Sequence, residues 1–374
     1  MLACQRRPSG AIGVEDLNPP RDSYPWRLPQ GFPPPPVPPA NPVRPEKVEL
    51  GRRLFYDRRL SGNQSYSCAS CHRPELAFSD GLAQAIGSTG QVHPRSAMSL
   101  ANVGYNATLT WADPGLRRLE EQAGIPMFNQ HPVELGLAGR MDEALLRLSS
   151  DPQTVELFRK AFPHQAGEIS LQAVQQALAT FQRTLLSMDS PYDRYVYGGE
   201  SAALSDSARR GLQLFFSDQL ACSECHAGFN FSGPVQVRGR PPPPAAFHNT
   251  GLYNLDGKGR YPSSDTGLHK LTKRSRDMGR FRAPTLRNIA VTAPYMHDGS
   301  IATLQEVLEH YAAGGRHGRR NPLKSPLLKG FELNGQQKAD LILFLKSLTD
   351  EGFLTDPRFA EPEGISGLGA QPQR

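Results

Sequence analysis

Two five-residue stretches decide the reading of this chain: Cys68-Ala-Ser-Cys-His72 and Cys222-Ser-Glu-Cys-His226. In C-x-x-C-H the two thiols can add to the vinyl groups of a haem, and the adjacent histidine is placed to bind the iron. C-x-x-C alone also serves zinc sites and thioredoxin-like dithiols. Here both copies carry the histidine directly after the second cysteine, and neither lies in a βαβ pattern. Two covalently bound c-type haems, and hence a redox protein, are the expectation.

Working outward, each motif is preceded by a similar run. E-L-G-R-R-L-F-Y leads to the first and A-R-R-G-L-Q-L-F-F to the second, sharing G-x-x-L-F as Gly51, Leu54, Phe55 and Gly211, Leu214, Phe215. Glycine permits close approach of a helix to a haem or to a partner helix, while Leu and Phe fill the apolar side. A repeated unit of this kind implies two tandem cytochrome-c-like haem domains. Helices are expected at Pro45–Tyr56, Ser170–Met188, Thr303–Ala312 and Asn334–Leu348, from apolar residues recurring at three- and four-residue steps. Strand alternation is scarce, so the predicted fold is mostly α with long irregular loops, one of them Gly228–Gly279. The expected division is a proline-rich arm over 1–42, a first haem domain over 43–195, a second over 196–350 and a tail over 351–374. Pro33–Pro36, Pro38 and Pro39 lack amide donors and favour extended geometry, which reads as an arm and not core.

Of 374 residues five are cysteine, and the motifs use four, leaving Cys4 and no internal disulfide framework. Covalent haem attachment implies the periplasm. No charged n-region followed by an apolar run of about 7–15 residues opens the chain. The L-A-C triplet at Leu2–Cys4 resembles the end of a lipoprotein signal, making Cys4 a candidate lipid anchor with its leader missing; the plain alternative is a free cysteine in a tail. No apolar run reaches the roughly 18 residues of a membrane span. The formal charge of +6 gives no support for nucleic-acid binding by itself. Runs such as Arg274, Arg276, Arg280, Arg282 and Arg316, Arg319, Arg320, Lys324 read as solvated surface, some meeting propionates or an acidic partner.

An iron with two protein ligands mainly transfers electrons, whereas an open position binds small ligands. Spacing alone leaves Met98, Met127, Met141, Met278, Met296, the other histidines and several tyrosines as sixth-ligand candidates.

Further stretches carry a resemblance. F-R-A-P-T-L-R-N-I-A-V-T-A-P-Y-M-H-D-G-S at Phe281–Ser300, E-Q-A-G-I-P-M-F at Glu121–Phe128 and H-P-V-E-L-G at His131–Gly136 look like the signature of bacterial dihaem cytochrome c peroxidases and MauG-type enzymes. The likeness runs from about Val43 to Leu348, and within that superfamily the chain looks most like the MbnH-type dihaem enzymes. The resemblance implies Tyr311 as sixth ligand of the second haem, on the helix from Leu304; peroxidases fed by small cytochromes carry methionine there. His310 is a rival, but one step turns it by about 100°. Where peroxidases read I-G-H, this chain reads Ile86-Gly87-Ser88, so the His72 haem is expected to be five-coordinate, with His93 as the substitute ligand to weigh. Glu134 matches the distal acid–base glutamate, Gln122 the distal glutamine and Pro126 a pocket-lining proline. Phe128–His131 forms a bulge two residues longer than in many relatives, bringing His131 into consideration. Trp111 matches the tryptophan between the haems. A calcium ion often sits there in the family, and its ligands would be Ser96, in place of an asparagine, with the carbonyls of Arg282 and Pro284.

The resemblance implies an oxidase that uses hydrogen peroxide to oxidise a partner protein, MbnP-like and at a tryptophan side chain, through a high-valent dihaem state. The alternative is a cytochrome c peroxidase drawing electrons from a small cytochrome. A dihaem electron carrier would need both irons fully ligated, which Ser88 argues against.

Overall fold

The computed structural model describes residues 23–165, 167–316 and 320–365. Among them there is no sheet, only isolated bridges; helices and irregular loops make up the fold. Each half is organised around one crossing of two helices. In the first, α1 (Pro45–Tyr56) crosses α5 (Leu171–Arg183); in the second, α7 (Asp206–Phe215) crosses α10 (Gly335–Lys346). The shared glycines explain how the backbones come so close. A Cβ at Gly51 would overlap the Ala177 carbonyl, and one at Gly211 that of Asp340. The repeated glycine therefore serves the partner helix, not a direct approach to haem. Beside each crossing lies a buried aromatic pair, Phe55 with Phe181 at 5.3 Å and Phe215 with Phe344 at 5.1 Å. Burying each such ring contributes roughly 1.5–3 kcal/mol.

Local capping sets the helix starts. Ser170 accepts from the Ala173 N–H ahead of α5, and Asn334 and Gln337 form a capping box on α10. The segment expected as Ser170–Met188 stops being helical at Arg183, and Leu185–Ser190 becomes the joint between the halves. The first core includes residues from Leu50 to Leu185, whereas Tyr192, on α6 (Pro191–Val196), packs on Phe231 in the second. Core membership thus changes hands ahead of the expected 195/196 boundary. Ser187 is gripped from both sides: its backbone pairs with the Asn102 amide, and its hydroxyl accepts from Asn288. A fully buried ion pair, Arg287 with Asp193 at 2.7 Å, braces the same joint.

Two expected appendages are structural. From residue 23 onward the arm passes over both halves in extended form: Phe32 packs on Tyr197 and Phe229, the Pro33 carbonyl accepts from the Tyr105 hydroxyl, and Asn41 donates to Glu120. At the other end the expected tail returns to the first half. Helix α11 (Glu351–Leu354) and the following loop bury Phe353, Leu354, Phe359 and Ile365 in the first core. Part of a stretch read as a tail is core because its few large apolar residues find the gap beside Phe78. Cys4 lies outside the described residues, and none of the described helices is long and apolar enough to cross a membrane.

Candidate dihaem site

Both motif histidines are oriented by the same device. His72 Nδ1–H donates to the Phe78 carbonyl at 2.7 Å; His226 Nδ1 lies 3.1 Å from the carbonyls of both Phe231 and Pro284. Phe78 and Phe231 each hold positive φ, 61° and 45°, a conformation that costs a bulky residue free energy and aims the carbonyl at the ring. A backbone acceptor on one ring nitrogen fixes the tautomer and leaves the other with a lone pair for metal. Burial lowers the pKa of both imidazoles, that of His226 to about 4, so they stay neutral and able to ligate.

The four motif cysteines form no disulfide with one another. Burial pushes the thiols of Cys68, Cys71 and Cys222 up to about 12 and that of Cys225 to about 11. Zinc needs thiolates, and among the described residues no three His, Cys, Asp or Glu side chains converge to hold a metal ion. Neutral thiols beside a carbonyl-oriented histidine fit a covalently attached haem at each motif.

Around His72 lies a cavity of about 440 Å³, lined by Cys68, Cys71, His72, Trp111, Gln122, Pro126 and Glu134. Gln122 and Pro126 stand four residues apart on α2 (Leu119–Phe128), hence on one face. The helix is anchored to α5 by the buried Arg183–Glu120 pair at 2.9 Å. Glu134 is held by its neighbours: Leu135 N–H donates to the Pro126 carbonyl, and the Glu134 carbonyl accepts from Ser88 N–H, both at 2.8 Å. Asn129, in the bulge, donates to the Glu134 carboxylate at 3.5 Å, and burial pushes that carboxyl up from its usual range. His131 also lines the cavity but is exposed.

Ile86 and Gly87 line this cavity and Ser88 does not. His93 does line it, yet its Nδ1 accepts from the Arg95 backbone N–H at 3.1 Å. A neutral ring in that tautomer carries its proton on Nε2 and has no lone pair left for iron. The wall opposite comes from the other half: Asp265 and Lys270, in the loop expected as an irregular insert, complete the cavity, and Asp265 pairs with Arg95 at 2.6 Å. Neither that loop nor the carbonyls of Phe78 and Phe231 are legible in the sequence as site elements. The only signal for the latter is the recurrence of Phe-Ser after each motif, at Phe78-Ser79 and Phe231-Ser232.

Trp111 stands between the halves. Its ring lines the His72 cavity and packs on the second core, its indole N–H donates to the Ser96 carbonyl at 3.0 Å, and its own carbonyl accepts from Arg282 N–H at 2.8 Å. In the second half, α9 (Leu304–Ala312) begins with a Thr303–Glu306 capping box and carries Tyr311 to the neighbourhood of Cys222 and Cys225, where burial pushes its phenol pKa up. His310 faces elsewhere, bonded through Nε2 to the Thr250 carbonyl at 2.9 Å. Of the methionines, Met127 is fully buried in the first core, and Met98 Sδ accepts from Arg282 at 3.4 Å.

Two of the three expected calcium donors are otherwise engaged. Ser96 Oγ–H donates to the Met296 carbonyl at 3.3 Å, the Ser96 carbonyl is taken by Trp111, and the Pro284 carbonyl by His226. Engaged in this way, Ser96 and Pro284 fit a calcium ion poorly.

These features agree with the comparisons. The profile of the di-haem cytochrome c peroxidases matches residues 45–201. The methylamine utilization protein MauG of Methylorubrum extorquens is 38% identical over 84% of this chain and 82% of its own. A cytochrome-c peroxidase, IdrP1, of a Pseudomonas species is 36% identical over 88% and 86%. Among solved structures, a MauG-like protein associated with microbial copper homeostasis superposes with a TM-score of 0.88 at 46% identity, covering 91% of this chain and 99% of that one. The chain belongs to the dihaem cytochrome c peroxidase family that includes MauG. It is accordingly a haem-containing, peroxidase-type oxidoreductase with two cytochrome-c-like halves.

Proposed function

We propose that this protein is a MauG-type oxidase that uses hydrogen peroxide to oxidise a partner protein, with a tryptophan side chain as target. The observation that carries the reading is Tyr311, projecting from α9 toward Cys222 and Cys225, where a cytochrome-fed peroxidase would carry methionine. His72 would hold a haem in this cavity, and that group would supply the chemistry of peroxide binding and cleavage. Glu134 sits where a carboxyl can take the proton from peroxide and return it to the leaving oxygen, and its raised pKa brings that exchange nearer neutral pH. Gln122 offers an amide in the same cavity, and Trp111 provides an aromatic ring between the two halves. Tyr311 keeps its proton in an apolar setting, a preference that a coordinated cation reverses. The resulting phenolate favours an oxidised iron more than a thioether would.

The 46% identity to a MauG-like protein associated with microbial copper homeostasis favours the MauG-type reading, and an MbnP-like partner protein belongs to that reading. Residence in the periplasm, with or without a lipid at Cys4, belongs to the same reading. The test is Tyr311→Met followed by redox titration and peroxide-mixing spectra. The expected result is a raised reduction potential for the second haem and loss of its response to peroxide, with peroxide binding in the His72 half retained. Unchanged potentials and spectra would remove Tyr311 as a ligand and return the lead to a cytochrome c peroxidase.

A further inference from the structure

The misfit at the calcium position has a specific cause. Calcium takes six to eight oxygen ligands, carboxylates prominent among them. Here the amide of the family pattern is a serine hydroxyl already donating to Met296, the Pro284 carbonyl is engaged by His226, and no acidic cluster lies among the described residues. The remaining donor residue, Arg282, brings a positive charge of its own. It is 3% exposed, although Arg274 and Arg276 of the same basic run are exposed on the surface.

The guanidinium is placed across the joint. Nε donates to the Thr110 carbonyl and Nη2 to Met98 Sδ, both at 3.4 Å, while the backbone N–H holds the Trp111 carbonyl. Met98 in turn lies beside His72, and Arg282 is one of the charged groups near His226. No carboxylate among the described residues pairs with it. A buried charge without a counter-ion is costly and needs an anionic neighbour. Haem propionates are carboxylates, and Arg282 reaches Met98, beside His72, while lying near His226.

We infer that Arg282 is the fixed cation between the two haem sites, standing in for the family's calcium, and that this chain carries no such calcium. The inference rests on the two-haem reading and is independent of the choice between oxidase and peroxidase. Holoprotein purified in calcium-containing buffer and desalted, with two haems per chain confirmed by pyridine haemochrome spectra, is analysed for calcium. It is then treated with EGTA and followed by EPR and redox titration. The expected result is no stoichiometric calcium and unchanged EPR spectra and potentials. Arg282→Gln is expected to lower the reduction potential of at least one haem, because a positive charge that disfavours the ferric state is gone; Arg282→Lys should keep wild-type potentials. One calcium per chain whose removal changes the spectra overturns the inference, as do wild-type potentials in Arg282→Gln. If Arg282→Gln does not fold, the calcium content of the wild type still decides.

Discussion

The two halves share a frame and differ in what faces the histidine. Gly51 and Gly211 let equivalent helices cross, Phe78 and Phe231 turn equivalent carbonyls onto His72 and His226, and Asn102 and Asn288 both take positive φ beside the same serine. Against that common background the first half holds a cavity with a buried carboxyl, and the second holds a tyrosine. Haem attachment is thus the geometry the halves have in common, and chemistry is assigned by a few residues outside the repeat.

The sharpest way to break that contrast is Glu134→Gln. With both haem spectra intact, the reaction with peroxide should slow by about 10²- to 10⁴-fold in stopped-flow mixing. Because burial raises the pKa of Glu134 and the reaction uses its deprotonated form, the wild-type rate should fall as pH drops through an inflection above the ordinary carboxylate range. The variant should lack that inflection. Rates within a factor of about two of wild type would make the carboxyl structural.

Next in size is the joint. Asp193→Asn leaves the buried Arg287 charge uncompensated and should cost about 3–5 kcal/mol in denaturant unfolding of the holoprotein. A loss within error would show that the halves are held by other contacts.

The symmetry of the frame is tested by Gly51→Ala and Gly211→Ala. Each adds a Cβ against a carbonyl of the opposing helix, so each should destabilise by about 1–3 kcal/mol, and by similar amounts. A large effect at one glycine only would break the equivalence.

Smallest of all should be Ser88→Ala. Its side chain is not part of the cavity lining, so the resting spectrum is expected to be unchanged, with one high-spin and one low-spin haem by EPR. Two low-spin signals in the wild type would close the first site and remove the contrast between the halves.

Much of the frame is legible in the sequence because it depends on local rules. The C-x-x-C-H copies, the G-x-x-L-F repeat and α1 follow from local spacing, and α1 falls at Pro45–Tyr56 as expected. The parts that escape a sequence reading depend on long-range packing. Arg282 reads like Arg274 in a basic run, and only the fold distinguishes a buried guanidinium from a solvated one. The 228–279 loop has no periodicity to mark it, yet its Asp265 and Lys270 help build the His72 cavity. Of the site, Glu134, Gln122 and Pro126 are indicated by resemblance, and the structure brings all three to one cavity. The carbonyls that orient the histidines leave only a faint trace, since a backbone acceptor has no side-chain signature.

The returning C-terminus has a consequence for how this protein comes into being. Phe353 and Phe359 pack against Phe78, whose carbonyl orients His72, and the Phe359 carbonyl accepts from Tyr56 at 2.6 Å. The first half, earliest to be translated, therefore waits for some of the last residues before its core can close. A nascent or prematurely ended chain would display the first C-x-x-C-H in an unfinished pocket, open to the machinery that attaches haem but without the finished setting for reaction with peroxide. Completion of the first half is in this way tied to completion of the second.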